Sequence, residues 1–232
     1  MVRRQIVAMG GGGFSTEADN PVLDRYVIQQ LPGERPRVCF LGTASGDAEG
    51  YLLSFYSAFT ELGCEPAHLS LFRPATADIR SFLMSSDAIY VGGGNTRSML
   101  VLWREWEVDQ ILRDAYESGI LLAGVSAGAN CWFESCVTDA VPGTLGPLAG
   151  LGLLPGSFCP HYDGERERRP AFHEMVRDGR LPNGYAADDG AALHFLDGEL
   201  YAVLASRREA RAYALNREGT AVSEEALPAQ HL

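Results

Sequence analysis

The chain has 232 residues, of which 46% are hydrophobic and 21% are charged, and one globular α/β domain over residues 1–232 fits these values. Its net charge of −11 argues against a nucleic-acid partner, and the absence of lysine excludes Schiff-base and P-loop chemistry. No apolar run reaches the ~18 residues of a transmembrane helix, and Met1–Met9 is too short for a secretory signal, so we predict a cytoplasmic protein without a membrane partner.

Short apolar runs alternate with amphipathic stretches through the first half of the chain. Their composition predicts buried strands at Gln5–Met9, Val38–Leu41, His68–Phe72, Ala88–Val91 and Ile120–Val125. Helical spacing of apolar residues predicts helices at Tyr51–Leu62, Ile79–Met84 and Met99–Ser118. This alternation favours a doubly wound, mostly parallel sheet with right-handed crossovers.

The last third of the chain has a different pattern. Three apolar runs, Ala191–Leu196, Leu200–Ala205 and Ala210–Leu215, follow one another with only short turns between them. Such close spacing predicts an antiparallel meander added to one edge of the parallel sheet. The tail from Glu224 to Leu232 is expected to fray.

Two glycine runs follow predicted strands. Gly10–Gly13 could cradle a phosphate, but no acidic residue follows a second strand where a dinucleotide site needs one. The alternative is a close approach of the backbone beside a site at the strand ends. Gly92–Gly94 precedes Asn95 and can aim its N–H groups at an oxyanion, or it is simply a tight strand-to-helix turn.

The strongest motif is Gly124–Gly128, which has the G-x-S-x-G pattern. It lies directly after a predicted buried strand and before a helix-like stretch. In that setting Ser126 occupies a sharp, strained turn, its hydroxyl stands above the sheet edge, and the N–H of Ala127 points to the developing oxyanion. The motif therefore predicts Ser126 as a nucleophile.

A serine nucleophile needs a base, normally histidine, and the chain has five histidines. His161, in the sequence CPHYD, ends a short strand-like segment and precedes a charged stretch, a position where catalytic residues gather. His68 and His194 fall inside strand-like runs, His173 falls on a helical stretch, and His231 lies in the tail. We therefore predict His161 as the base and structural roles for His68 and His194.

Four segments together resemble the peptidase E family: GGGGFS, VGGGNT, GVSAGAN and PHYD. These α-aspartyl dipeptidases are related to cyanophycinase and, more distantly, to class I glutamine amidotransferases. The resemblance extends from about Gln5 to Ala205. It implies a flavodoxin-like α/β fold and a cytoplasmic serine peptidase without metal or cofactor, which hydrolyses Asp-Xaa dipeptides.

Carried over motif by motif, the resemblance makes Ser126 the nucleophile and His161 the base. Gly93, Gly94 and Ala127 then surround the oxyanion. The implied partner is a small peptide substrate, and the oligomeric state, including a homodimer, stays open. Two alternatives remain: a silent scaffold that binds a small acidic peptide or metabolite, and a cyanophycinase-like peptidase.

An acidic substrate side chain needs a local cation in a protein with a net charge of −11. Without lysine that cation must be arginine, which also suits bidentate binding of a carboxylate. The run GERERR after His161 offers Arg166, Arg168 and Arg169. We predict Arg166 and Arg169 as substrate-binding residues; the alternative is a solvated, charged helix face.

The base also needs a carboxylate that fixes its tautomer. The candidates are Asp139, Asp163, Asp188 and Asp189. Peptidase E has a glutamate before a glycine at the end of a strand, and Asp189, which follows the strand-like Gly184–Ala187, matches that place with aspartate; Asp139 is the next choice. Aspartate reaches roughly 1.5 Å less. Unless the backbone moves in, we expect a long or absent hydrogen bond to His161. We therefore predict weak, altered or absent Asp-Xaa activity, and a gain of activity in Asp189→Glu if this argument from reach holds.

Overall fold

Two β-sheets and their connecting helices make up the computed structural model, which describes residues 3–232. Met1 and Val2, part of the N-terminal segment considered above as a signal, lie outside the described residues. The strands are β1 (Gln5–Met9), β2 (Arg37–Leu41), β3 (Glu65–His68), β4 (Ala88–Val91), β5 (Leu121–Val125), β6 (Phe133–Val141), β7 (Thr144–Ala149), β8 (Leu154–Cys159), β9 (Gly184–Ala187), β10 (Ala191–Leu196), β11 (Glu199–Ala205), β12 (Ala212–Glu218), β13 (Ala221–Leu227) and β14 (Gln230–His231).

Seven α-helices connect these strands within the described residues. They are α1 (Val22–Gln29), α2 (Glu49–Glu61), α3 (Ile79–Met84), α4 (Thr96–Glu105), α5 (Val108–Glu117), α6 (Ala127–Asn130) and α7 (Arg168–Arg177). In the part of the chain that the structure describes, no helix is long and apolar enough to cross a bilayer.

The first sheet has the strand order β14-β11-β10-β1-β5-β4-β2-β3. Its central strands β1, β5, β4, β2 and β3 are parallel to one another, and β10 and β11 continue the sheet in antiparallel orientation. The strands β4 and β5 are buried along their whole length, as expected for continuous apolar runs covered on both faces. The predicted fold class, a mostly parallel α/β sheet with an antiparallel extension near the C-terminus, is confirmed.

A second sheet was not foreseen from the sequence, and its strand order is β13-β12-β9-β8-β6-β7. In the predicted meander β12 would follow β11 in the same sheet. In the structure β10 and β11 pair as expected, but β12 pairs with β9 and β13 of the second sheet. Where the chain crosses between the sheets, Ala210 and Ala212 are buried in the core. The carbonyl of Arg211 accepts the N–H of Asp188, and the N–H of Arg211 donates to the carboxylate of Asp188. The tail is likewise not frayed, since residues 224–232 contribute to β13 and β14.

The strand predicted at His68–Phe72 is wrong in its position. In the structure β3 ends at His68. The N–H of Arg73 donates to Ser70 Oγ at 2.9 Å, and this contact folds the segment after β3 into a turn. A polar side chain that captures a nearby backbone N–H competes with strand pairing.

The single helix predicted at Met99–Ser118 is two helices, α4 and α5. Glu107, between them, has φ of 56°, a left-handed conformation that a right-handed α-helix cannot include. The bend allows Trp103 of α4 and Leu112 of α5 to enter the same hydrophobic cluster, and both are fully buried. Burial of both side chains therefore overrides the continuous helical pattern.

The largest hydrophobic cluster contains residues of both sheets. Phe133 of β6 stacks on Phe158 of β8 with ring centroids 4.9 Å apart, and its edge contacts Phe195 of β10 at 5.7 Å. Such aromatic pairs add to the stabilisation that burial alone provides. The shared core supports the expectation of one domain over residues 1–232, which stays a prediction.

A buried carboxylate supports the first glycine turn. Asp24 of α1 accepts hydrogen bonds from the N–H of Phe14 at 2.6 Å and from the hydroxyl of Tyr90 at 3.0 Å. Burial raises the pKa of Asp24 to about 6, against the lowering effect of these two hydrogen bonds. The hydrogen bonds of Asp24 therefore fix the turn. At neutral pH, however, its buried negative charge lowers the free energy of unfolding.

We expect Asp24→Asn to change the pH dependence of unfolding. Because the folded pKa of Asp24 is about 6, above the unfolded value, its favourable contribution is present at acidic pH and is lost as the pH rises towards neutrality. Asparagine cannot ionise, yet it keeps an acceptor for the Phe14 N–H. From about pH 4 to about pH 7, the unfolding free energy of the variant should rise relative to wild type by on the order of 2 to 3 kcal/mol.

Urea unfolding across this pH range measures the difference between the two proteins. Asp19→Asn, which removes the same charge at an exposed position, is the control. A difference between wild type and Asp24→Asn that does not vary with pH would contradict this account of Asp24.

Candidate active site

The carboxyl ends of parallel strands from both sheets meet at one place. In the first sheet, β1 leads to the Gly10–Gly13 turn and β5 leads to Ser126, whose N–H donates to the carbonyl of Met9 at 3.0 Å. In the second sheet, β8 leads to His161, whose N–H donates to the Gly10 carbonyl at 3.3 Å. The strand β9 leads to Asp189, which forms an isolated β-bridge with Gly11. Side chains from two sheets therefore share one site.

Ser126 occupies the strained turn that its motif predicts. It has φ of 56° and ψ of −113°, and the short helix α6 begins at the next residue. A Cβ on Gly124 would overlap the carbonyl of Gly128, and a Cβ on Gly128 would overlap the carbonyl of Val91. The two flanking glycines are therefore required by the close approach of the backbone, which is the geometry of a nucleophile elbow.

His161 and Asp189 form a hydrogen-bonded pair. The Nδ1 of His161 lies 2.6 Å from Oδ1 of Asp189. This hydrogen bond, opposed by partial burial and aided by the nearby arginines, holds the pKa of Asp189 below its usual value. The hydrogen bond is short, so the long or absent bond expected for a backbone that does not move in is not found.

The position of the backbone compensates for the side chain of aspartate, which is one methylene shorter than that of glutamate. The N–H of Gly190 donates to the carbonyl of Gly11 at 3.0 Å, which draws the end of β9 against the first glycine turn. A Cβ on Gly11 or on Gly164 would overlap the carboxylate of Asp189. These glycines let the aspartate come close enough to reach His161.

Asp163, the second candidate near the histidine, acts on the backbone of Asp189 instead. Its Oδ1 accepts the N–H of Asp189 at 2.8 Å, and its other oxygen forms an ion pair with Arg207. The Nε of Arg207 in turn donates to the carbonyl of Asp189 at 2.8 Å. Asp163 and Arg207 therefore hold the segment that carries the aspartate.

The remaining candidates have other partners. Asp139 forms an ion pair with Arg168 at 3.4 Å. Asp188 accepts the N–H of Arg211 at 2.9 Å, and burial raises the pKa of its carboxyl to about 6. Of the four aspartates considered, Asp189 is the one that the structure brings to the histidine.

Two of the three predicted oxyanion groups, Gly93 and Gly94, line the same cavity as Ser126. A Cβ on Gly93 would lie 3.4 Å from the Cβ of Ser126, and Ala127 follows it in the chain. Within residues 3–232, the N–H groups of Gly94 and Ala127 have no protein acceptor. The N–H of Gly93 differs, because it donates to the hydroxyl of Tyr51 at 3.2 Å. Sequence analysis missed Tyr51, since a tyrosine on an amphipathic helix gives no local signal of a site.

A cavity of about 480 Å³ opens over these groups. It is lined by Gly11, Ser15, Thr16, Gly50, Tyr51, Ser54, Gly93, Gly94, Val125, Ser126 and His161. Serine and histidine thus face one space. Within residues 3–232 the Ser126 hydroxyl has no hydrogen bond to His161, and such bonds commonly form only when a substrate is bound.

The predicted substrate-binding arginines do not line this cavity, which corrects their assignment. Arg166 lies in a separate groove together with four carboxylates: Asp139, Glu165, Glu167 and Glu174. Arg169 forms an ion pair with Glu224 and stacks over the ring of Tyr162. Arg168 is buried and forms an ion pair with Glu165 at 2.7 Å. Carboxylates engage Arg168 and Arg169 away from Ser126, and Arg166 lies in the separate groove.

The other histidines lie outside the cavity, as predicted. Burial lowers the pKa of His194 to about 4, which keeps this ring neutral. The imidazoles of His68, His173 and His194 form hydrogen bonds with Tyr56, Glu224 and Tyr26, and His231 lies in β14.

Residues 6–203 match the model of peptidase family S51. The chain belongs to peptidase family S51. The resemblance to peptidase E seen in the sequence is thereby confirmed, and a peptidase function is supported.

Relatives of this S51 peptidase agree with that assignment. The "Uncharacterized peptidase YgaJ" of Bacillus subtilis is 55% identical over 229 residues, which cover 99% of each chain. "Peptidase E" of Haemophilus influenzae is 34% identical over 130 residues, 51% of this chain and 59% of that protein. The crystal structure of a peptidase from an acI-B1 Actinobacterium has the same fold, with a TM-score of 0.73 at 20% identity over 98% of this chain and 96% of that one.

We expect Asp189→Asn to lower kcat for peptide hydrolysis in this S51 peptidase by roughly 10³- to 10⁴-fold, because an amide favours the wrong imidazole tautomer. Asp188→Asn is the matched control, since the neighbouring carboxylate bonds to Arg211, and near-normal kcat is expected. Steady-state kinetics of both variants test the pair. Equal losses in the two would show that Asp189 has no special role.

Asp189→Glu should also lower kcat, contrary to the expectation from reach alone. The glycines at 11 and 164 leave no room around the carboxylate for another methylene. The hydrogen bond to His161 would be displaced, and a misplacement of about 1 Å can cost roughly 10²-fold in rate. A glutamate variant faster than wild type would contradict this geometry.

Proposed function

We propose that the protein is a serine-type peptidase that cleaves short peptides through an acyl-enzyme on Ser126. The observation that carries the proposal is one cavity that contains both a serine on a strained strand-to-helix turn and a histidine bonded to a carboxylate. A serine in this position is a recognised arrangement for acyl transfer.

In the proposed reaction, His161 removes the proton of the Ser126 hydroxyl as the oxygen attacks the peptide carbonyl. Asp189 holds the other imidazole nitrogen, Nδ1, so that Nε2 is the base, and it stabilises the imidazolium. The imidazolium then protonates the leaving amine as the C–N bond breaks. Water, deprotonated by the same histidine, hydrolyses the ester and releases the acid.

The developing oxyanion needs donors that are already in place. The N–H groups of Gly94 and Ala127 have no other protein acceptor within residues 3–232. A good donor of this kind contributes roughly 3 to 4 kcal/mol to the stability of the transition state. The N–H of Gly93 can join them only if it exchanges Tyr51 for the substrate oxygen.

Asp-Xaa dipeptides are the substrates that the resemblance to peptidase E implies. The arginines expected to bind the aspartyl side chain do not line the cavity. We therefore base the proposal on acyl transfer and treat the identity of the N-terminal residue separately. A cytoplasmic location, a small-peptide partner and a homodimer stay predictions.

We expect a serine-directed fluorophosphonate to label Ser126, as detected by mass spectrometry of the labelled peptide. Ser126→Ala should lose both the label and dipeptide hydrolysis while it stays folded, because the lost hydroxyl is not packed in the core. Ser57→Ala, at an exposed serine outside the cavity, should keep both.

Two results would contradict the proposal. One is hydrolysis that survives in Ser126→Ala, which would mean another nucleophile. The other is a wild-type protein that neither takes the label nor cleaves any short peptide, the behaviour of a silent binding scaffold.

A further inference from the structure

The wall of the Ser126 cavity carries hydroxyl groups in place of charges. Four of them come from the first glycine turn and from α2: Ser15, Thr16, Tyr51 and Ser54. No arginine, aspartate or glutamate is among the lining residues, all of which lie within residues 3–232. The lining thus differs in kind from a site built for a carboxylate, where arginine is the usual partner.

Two of these hydroxyls donate their hydrogen bonds to backbone carbonyls of the protein. Ser15 Oγ donates to the carbonyl of Gly12 at 2.7 Å. Ser54 Oγ donates to the carbonyl of Gly50 at 3.0 Å. Each serine oxygen therefore faces a ligand mainly as an acceptor, and it would leave a carboxylate without a donor.

The other two hydroxyls accept from the backbone. Thr16 Oγ1 accepts the N–H of Gly12 at 3.0 Å, and Tyr51 Oη accepts the N–H of Gly93 at 3.2 Å. Thr16 keeps its O–H proton for a ligand, whereas the hydroxyl of Tyr51 also interacts with the hydroxyl of Ser15. The wall therefore offers donors and acceptors together, which matches a group that does both, such as a hydroxyl or a carboxamide.

Two carboxylates lie behind the first glycine turn, and Arg207 lies beside one of them, Asp189. A Cβ on Gly11 would overlap the carboxylate of Asp189, and a Cβ on Gly12 would lie 3.0 Å from an oxygen of Glu17. Neither carboxylate lines the cavity, since Asp189 is bonded to His161 and Glu17 accepts the hydroxyl of Ser206. They add no cation that would attract a carboxylate of the ligand, and within residues 3–232 the cavity itself has no arginine in its lining.

We propose, on the basis of the proposed function, that the residue whose carbonyl Ser126 attacks has a short, uncharged polar side chain, a hydroxyl or a carboxamide, in place of a carboxylate. The hydroxyl-lined wall pairs with that side chain. The substrate class is thus a dipeptide that begins with a residue such as serine or asparagine.

Three dipeptides with a common leaving residue test the proposal: Asn-Leu, Ser-Leu and Asp-Leu. Asparagine and aspartate have nearly the same shape, so that their comparison isolates charge. We expect kcat/KM for Asn-Leu and Ser-Leu to exceed that for Asp-Leu by about tenfold or more at neutral pH. A higher kcat/KM for Asp-Leu would overturn the proposal.

A charge added to the wall should reverse the preference. Ser54→Arg places a cation at the cavity, and Ser57→Arg adds the same charge one turn further along α2, at an exposed position outside it. We expect the ratio of kcat/KM for Asp-Leu to that for Asn-Leu to rise by about tenfold in Ser54→Arg and to stay at the wild-type value in Ser57→Arg. Equal ratios in the two variants would overturn the assignment of this wall to the side chain.

Fluorophosphonate labelling separates the two levels of the argument. A protein that takes the label on Ser126 but cleaves neither Asn-Leu nor Ser-Leu would overturn the substrate class and leave the proposed function intact. A protein that takes no label and cleaves none of the three would overturn the proposed function, and the substrate class with it.

Discussion

The site depends on one contact, at which the carboxyl ends of the parallel strands of both sheets meet. Serine comes from the first sheet, whereas the histidine and its carboxylate come from the second. The sheets meet at the first glycine turn, where the carbonyl of Gly10 accepts the N–H of His161 and Gly11 pairs with Asp189. No side chain fits at Gly11, so backbone hydrogen bonds set the distance between the sheets. A larger residue there would separate the carboxylate from the imidazole.

This contact also supports two strained residues. Ser126 and His161 both have positive φ, a conformation that costs a residue with a Cβ roughly 1 to 2 kcal/mol. The N–H of each is bonded to the end of β1 or to the residue after it, at Met9 and Gly10. A single buried strand therefore anchors both turns. Strain held in this way keeps the hydroxyl and the imidazole aimed into one cavity without large side-chain movements.

Among the described residues, arginine side chains form ion pairs around the second sheet and do not line the cavity, which is left uncharged. Arg168, Arg169 and Arg207 each form an ion pair with a carboxylate of the surrounding frame. Arg168 is buried, and loss of its carboxylate partner would leave an unpaired buried charge, which is strongly destabilising. Arg168 and Arg169, close to the histidine in sequence, are thus structural, and hydroxyl groups and backbone N–H groups are left to line the cavity.

The sequence by itself determined the parallel sheet, the serine turn and the choice of histidine. Each follows from a local pattern: short apolar runs, glycines on either side of Ser126, and a histidine directly after a short strand. Only the tertiary structure decided the second sheet, the departure of β12 from the meander, the reach of Asp189 and the place of Arg169. Strand pairing depends on hydrogen bonds between residues far apart in the chain. The short runs SCVTD (residues 135–139) and GYAA (residues 184–187) contain no local signal of the strands with which they pair. Whether a side chain reaches its partner likewise depends on where the backbone lies, and here close contact at a glycine provides what one methylene lacks.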